Sequence, residues 1–470
     1  MVVANLLGSS ARPLRVAIIG AGPAGFYAAG ALLAQQTVHV TVDLFERLPA
    51  PHGLVRYGVA PDHQKIKTVA RVFDRTAAMP GFRFFGNVQF GYDLTREDVH
   101  QLFDAVIYAV GSQADRRLGI PGEDLAGSLS ATEFVAWYNC HPDYAGLKID
   151  LSGESAVVVG VGNVAVDVAR ILARTPHELA STDIALHAEQ QLAASGVRDI
   201  FILSRRGPAQ AKFSPLEIKE FGELAGADII IDPAELELDP LSAAALEDDA
   251  EARRNLEMLR ELAARPRLGR SRRIHFRFLV SPVEILGDHG RVVAVRVERN
   301  VLRRDERGYL NAVGTGQFDL IPAQLVLRAV GYRGVALPGV PFDERRGVIP
   351  NEGGRVIDPA SGRVVRGEYV VGWAKRGATG VIGTNRPDAI DTVQALLADV
   401  PTLPPACDPD PAAVERLLSA RGVQFISSDG WRLIDEAELA KGQERGKPRI
   451  KFTHVDEMVA LAQGRSTDGR

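Results

Sequence analysis

Two stretches of this chain carry the same glycine spacing in the same context: Gly20-Ala21-Gly22-Pro23-Ala24-Gly25 and Gly160-Val161-Gly162-Asn163-Val164-Ala165. Each comes after a short apolar run, at residues 15–19 and 155–159. Each precedes a run of small and apolar residues that reads as a helix, at 26–34 and 164–173. A strand, a glycine turn and a helix in that order form the Rossmann phosphate-binding unit. Gly20 and Gly160 allow the tight turn, and Gly22 and Gly162 let the backbone approach a pyrophosphate. Gly25, with Ala165 in the equivalent place, lets the helix pack on its strand. The phosphates then rest on the helix N-terminus.

The acceptor residues downstream of the two turns differ in charge. The first unit continues into an apolar strand at 38–45 that ends in Glu46, about twenty residues past the turn, where a carboxylate accepts from ribose hydroxyls. That pattern suits the adenosine half of FAD or NAD. The second continues through 199–203 into Ser204-Arg205-Arg206-Gly207-Pro208. Two permanent cations there can hold a 2′-phosphate by forked hydrogen bonds, which favours NADP over NAD.

At 470 residues the chain has room for two or three domains. A formal net charge of -4 gives no global signature of nucleic-acid binding. The two cysteines, Cys140 and Cys407, lie far apart and form no C-x-x-C. That excludes a dithiol relay of the thioredoxin-reductase or glutathione-reductase kind, a four-cysteine iron-sulfur cluster and a disulfide framework; no metal site is expected. Val16 to Ala34 contains no charged residue, yet four glycines and a proline in Rossmann order make it a buried strand and helix rather than a membrane span. The first 14 residues lack a signal-peptide pattern, so a soluble, cytoplasmic protein without membrane insertion is expected.

Residues 48–63, Leu48-Pro49-Ala50-Pro51-His52-Gly53-Leu54-Val55-Arg56-Tyr57-Gly58-Val59-Ala60-Pro61-Asp62-His63, read as a long loop too rich in glycine and proline for a helix, of the sort that lines a site. Two apolar strands close alike, in Ala109-Val110-Gly111 and Ala329-Val330-Gly331. If these mark crossings, a second domain is inserted into a discontinuous first one. The inserted part carries a helical stretch at 241–264 and a basic run at 265–273. The tail from 404 reads as helices around a short hairpin. Gly372-Trp373 to Gly383-Thr384-Asn385 precedes a helix with Pro387 in its first turn.

These blocks together resemble the adrenodoxin-reductase type of ferredoxin-NADP reductase, including its bacterial members. The resemblance is carried by Gly20 to Gly25, by Gly53-Leu54-Val55-Arg56 through Ala60-Pro61-Asp62-His63, by Gly160-x-Gly162-Asn163 through Asp167-Val168-Ala169-Arg170, by Arg205-Arg206-Gly207-Pro208, and by Gly372-Trp373 through Gly380-Val381-Ile382-Gly383-Thr384-Asn385, in order from about residue 15 to 395. It implies an α/β fold of two Rossmann-like dinucleotide-binding domains in the glutathione-reductase-like manner. The NADP-binding domain (113–325) would be inserted into an FAD-binding domain (1–112 and 326–470).

The resemblance further implies FAD contacts at Ala24, Glu46, Leu54, near Phe90, at Trp373 and along Gly380, Val381 and Ile382. It implies NADP contacts at Val161 to Val164, Arg205, Arg206, Glu217 and Gly380. Phe90 departs from a small aliphatic residue, and His52 from another aromatic. The implied activity is electron transfer from NADPH to a small acidic ferredoxin. Flavodoxin is a possible substitute carrier. A flavin accepts a hydride as an electron pair and releases electrons singly, so positioning is the protein's task.

His63, Asp167 and Glu220 are candidates for proton transfer, with helix capping and burial as their structural alternatives. Lys375 and Arg376 are candidates to balance a reduced flavin or guide the acidic carrier, with ordinary solvated loop cations as the alternative. Lys212, Lys219, Arg253, Arg254, Arg260 and the 265–273 run are candidates for docking an acidic carrier. The competing readings are an NADPH-dependent flavoprotein oxidase, monooxygenase or diaphorase acting on a small organic acceptor, and a nonenzymatic nucleotide-binding module.

Overall fold

The computed structural model describes residues 7–464. The chain forms two compact units. One holds the residues up to Val59, His63–Ala114 and the chain from Tyr332 onward; the other holds Ala60–Asp62 and Asp115–Gly331.

The first unit is built on a seven-stranded sheet. Its parallel part runs Arg363–Val370, Ala105–Tyr108, Leu14–Ile19, Val40–Phe45, Phe82–Phe85, and the hairpin strands Asn351–Glu352 and Arg355–Asp358 extend it antiparallel. Leu14–Ile19 is buried at every position, as a central parallel strand covered on both faces must be. The helix Pro23–Ala34 starts with proline at its first position and packs on Asn385–Asp399.

The second unit repeats the plan with a wholly parallel six-stranded sheet ordered Ser128–Ser130, Leu325–Arg328, Ser155–Val159, Asp199–Leu203, Arg272–Arg277, Ala227–Ile231. An antiparallel meander, Val280–Asp288, Arg291–Arg304 and Leu310–Pro322, forms a separate three-stranded sheet of this unit.

Three local expectations are corrected. The 48–63 segment contains a helical turn, Leu54–Tyr57, because Gly53 takes φ +48 and reverses the chain ahead of it. The 241–264 stretch is two helices, Pro240–Leu246 and Ala250–Ala264, since the Asp249 side chain accepts from the Ala252 N–H and starts the second. Among the described residues the tail has no hairpin: Ile426 instead bridges Gly86, and helices Ser428–Glu444 and Val455–Ala462 come after it. No described helix is long and apolar enough to cross a membrane.

Candidate functional site

The two glycine turns are the same construction. Gly20 has φ +109, and a Cβ there would lie 2.6 Å from the Ala109 carbonyl oxygen; Gly160 has φ +131, and a Cβ would lie 2.4 Å from that of Ala329. In each unit the turn thus stands on the end of the neighbouring parallel strand, which is why both strands close in Ala-Val-Gly. Gly22 and Gly162 are extended, and a Cβ on either would meet nothing within 4 Å. The surface beside both turns is therefore open at the point where a pyrophosphate needs the backbone. Gly25 is closed: its Cβ would come within 2.1 Å of the Gly20 carbonyl oxygen. Ala165 is fully buried in the equivalent place.

Glu46 ends the second strand of the first unit. Its Oε2 accepts from the Ala21 N–H at 3.0 Å and its Oε1 from the Leu48 N–H at 3.1 Å. Burial raises its pKa, and those N–H groups oppose the rise. The carboxylate is thus tied to the turn it serves and keeps lone pairs for ribose hydroxyls.

His52 and Gly53 reach back to this turn. The His52 N–H donates to the Ala21 carbonyl at 2.8 Å, and a Cβ on Gly53 would lie 2.9 Å from the Gly22 Cα. Leu54 begins the next turn, half exposed. His52, whose role the sequence leaves open, packs among Phe26, Phe73 and Trp431 with its Nε2 3.4 Å from Asp74. Phe90 turns its ring into the core against Tyr108, so a side-chain contact to a ligand is not available there. Ala24 faces Gly372, where a Cβ would lie 2.6 Å from the Ala24 Cβ. Trp373 donates from Nε1 to the Thr379 carbonyl, Gly380 has φ +78, the Val381 N–H donates to Thr384 Oγ1, and Ile382 opens the short helix beyond it.

His63 occupies the N-cap position of Gln64–Lys67, but its side chain makes no cap hydrogen bond, so the capping alternative is set aside. Lys375 and Arg376 are paired rather than solvated: Asp388 lies 3.0 Å from Lys375 Nζ and 3.2 Å from Arg376 Nη1, and it also accepts from the Gly372 N–H at 2.6 Å.

In the second unit, Arg205 and Arg206 come directly after Ser204 at the end of the strand Asp199–Leu203. Their side chains have no carboxylate partner among the described residues, and burial together with the charge of Arg205 lowers the pKa of Arg206. Their backbone is fixed: Asn300 Nδ2 donates to the Arg205 carbonyl at 2.9 Å, and Ser204 Oγ to that of Arg206 at 2.8 Å. Two adjacent cations without a carboxylate partner are chemically suited to an anion. Asn163 Oδ1 accepts from the Ser214 N–H, and the Val161 carbonyl accepts from the Lys212 N–H, so the second turn is tied to segment 212–214. Val164 packs against the core behind it.

Asp167, Glu217 and Glu220 do come together, around a residue whose role the sequence did not reveal. The guanidinium of Arg170, fully buried, is 2.6 Å from Asp167, 3.0 Å from Glu217 and 3.3 Å from Glu220, and it pairs with both oxygens of Asp62 at 2.7 and 3.0 Å. Burial alone would disfavour its charge; Asp167, Asp62 and Glu220 outweigh that and raise its pKa. Asp62 also accepts from Arg174 at 2.7 Å.

The 265–273 run is largely consumed by the fold. Arg265 donates to the Gly222 carbonyl, Arg270 to those of Leu224 and Ala227, Arg272 to that of Arg174, and Arg273 pairs with Asp199.

The family model described as pyridine nucleotide-disulphide oxidoreductase matches residues 14–198. NADPH-ferredoxin reductase FprA of Mycobacterium tuberculosis is 46% identical over 469 residues, covering 96% of this chain and 100% of that protein. The mitochondrial NADPH:adrenodoxin oxidoreductase of Arabidopsis thaliana is 40% identical over 475 residues, covering 98% of each. The chain belongs to the ferredoxin-NADP reductase family of adrenodoxin-reductase type.

A solved structure of Mycobacterium tuberculosis FprA in complex with NADPH matches this reductase with a TM-score of 0.90 at 46% identity, covering 96% of this chain and 100% of that one. Three structural features of the reductase left traces in the sequence. Arg170 lies three residues after Asp167, a helical ion-pair spacing. Asn300 interrupts a strand otherwise built of valine, alanine, leucine and charged residues. Asp388 left a weaker trace as the acidic residue of a helix first turn.

Proposed function

We propose that this reductase is a ferredoxin-NADP+ reductase, taking a hydride from NADPH into bound FAD and passing electrons singly to a ferredoxin-type iron-sulfur protein, in principle reversibly. The observation that carries this reading is the contrast between Glu46 beside the first glycine turn and the uncompensated Arg205–Arg206 pair at the second. A ribose acceptor and a phosphate acceptor on two turns of identical build require two different dinucleotides.

The residues fit both groups. Gly22 and Gly162 leave the backbone open, Gly20, Gly25 and Gly160 hold each turn, and Leu54, Trp373, Gly380, Val381, Ile382 and the backbone near Phe90 supply the rest of the flavin side. Bound FAD supplies the exchange between two-electron and one-electron chemistry. Val161 to Val164, Arg205 and Arg206 hold NADP(H). Glu217, which pairs with Arg170, joins that side.

His63 exchanges the proton that accompanies flavin reduction and reoxidation, and Asp167 and Glu220 act as positioning carboxylates on Arg170. A cytoplasmic setting, and flavodoxin as an alternative small acidic carrier, form part of the same proposal.

The test is an absorbance spectrum of purified protein, with titration by NADPH and NADH and then a cytochrome c reduction assay. A yellow protein bleached preferentially by NADPH, reducing cytochrome c only when ferredoxin is added, is expected. A colourless protein after FAD reconstitution, or equal response to both coenzymes, overturns it. Reduction of a small organic acceptor at full rate without ferredoxin favours the oxidase or diaphorase reading.

A further inference from the structure

The sequence blocks that carry the family resemblance stop near residue 395, yet the tail reaches back to the flavin-side turn. Arg56, in the turn Leu54–Tyr57, is 6% exposed, and its guanidinium forms a two-pronged pair with Glu438 of the helix Ser428–Glu444, which is fully buried. The guanidinium packs on the rings of Tyr57 and Trp431, with its carbon 5.1 and 5.3 Å from their centroids. Glu438 also accepts from the Phe452 N–H at 2.9 Å and lies 3.2 Å from Arg449. The backbone carbonyl of Arg56 accepts from Lys451 Nζ at 3.0 Å. Both ends of Arg56 are therefore held by the tail.

Adhesion alone does not need this pair. Leu48, Ala50 and Tyr57 already form an apolar cluster with Ile426, Ile434, Phe452, Met458 and Val459. A buried ion pair adds little stability over apolar residues of similar volume, because desolvation offsets the attraction, but it fixes one geometry. The element it fixes is the turn whose Gly53 abuts the Gly22 backbone of the first glycine fingerprint.

We propose that residues 427–464 are a clasp on the flavin-side turn, with Glu438 the positioning residue that sets Arg56, and through it Gly53 and Leu54, for retention of the dinucleotide. The inference rests on the reading of the first glycine turn as the FAD site.

The test measures FAD dissociation from the holoenzyme by fluorescence, together with thermal melting, for wild type, Glu438→Gln, the apolar double variant Arg56→Met/Glu438→Leu, and the exposed control Glu436→Gln. Glu438→Gln is expected to raise the FAD dissociation constant at least tenfold. The double variant should melt near wild type and still release FAD at least tenfold more readily, and Glu436→Gln should behave as wild type. A double variant with native melting and native FAD affinity overturns the clasp, as does FAD loss that simply tracks melting temperature across the set.

Hydrogen exchange on the wild type needs no variant: amides of 427–464 should gain protection when FAD is restored, and no change there also overturns the clasp. A wild type that binds no FAD overturns instead the reading of the first turn, which separates the two failures.

Discussion

Gly25 lies against Gly20 so closely that a Cβ on it would sit 2.1 Å from the Gly20 carbonyl oxygen, while Gly22 between them faces open space. The two positions separate folding from binding. Gly25→Ala should destabilise the first unit by about 1 to 3 kcal/mol, the range for overpacking a close-packed site, read as a lower urea midpoint. Gly22→Ala should leave that midpoint nearly unchanged and weaken FAD, read by flavin content after dialysis.

Replacing Arg205 and Arg206 by neutral residues should weaken NADPH far more than NADH. Charge-assisted hydrogen bonds to a phosphate contribute roughly 1.5 to 3 kcal/mol each, or about one to two decades in affinity. Equal loss for the two coenzymes in a flavin-bleaching titration would contradict the assignment.

Arg170→Met should be among the most damaging changes in the second unit. It leaves Asp62, Asp167, Glu217 and Glu220 crowded around an apolar side chain, and breaking such a buried network costs about 3 to 5 kcal/mol. The sign of the pH dependence identifies the cause. Carboxylates without their cation have raised pKa values, so the variant should become more stable as pH falls toward 5, whereas simple loss of packing gives no such slope.

Burial acts to raise the pKa of Glu438, but Arg56 outweighs it and the carboxyl ends below its ordinary value. A depressed carboxylate contributes stability that is fully present above the unfolded value, about 4.3, and that is lost as pH falls through the lower folded value. Urea melts from pH 6 to 3 should show this loss below about pH 4.3 in wild type and a shallower one in Glu438→Gln.

His63→Ala should slow the proton-linked phase of flavin reduction by NADPH about tenfold or more in stopped flow, and solvent deuterium should slow the wild type. General acid-base groups contribute ~100-fold or more where the proton moves in the slow step. Unchanged flavin reduction would remove His63 from the proton path.

The fold class was legible because a phosphate-binding turn has a backbone requirement that only glycine spacing meets. Strands 155–159 and 199–203 have the bounds expected from the sequence, since a buried parallel strand is a run of apolar residues with sharp polar ends. Loop chemistry was less legible. The arginines of 265–273 read as a free basic patch, but exposed carbonyls at helix and strand ends drew them in, and neighbours distant in sequence leave no mark on composition. Lys375 and Arg376 read as available charge because the position of Asp388 against the Gly372 turn depends on where a helix starts in space.

By itself the sequence determined two Rossmann units, the opposite charge of their acceptor groups and the exclusion of dithiol chemistry, since each depends on residues within a few positions of one another. Only the tertiary structure decided that Arg170 gathers four carboxylates, that Asn300 holds the arginine pair, and that Glu438 reaches Arg56. Apart from the local Asp167–Arg170 pair, those pairings join residues that burial brings together across tens to hundreds of positions, where the cost of an unpaired buried polar or charged group selects the partner.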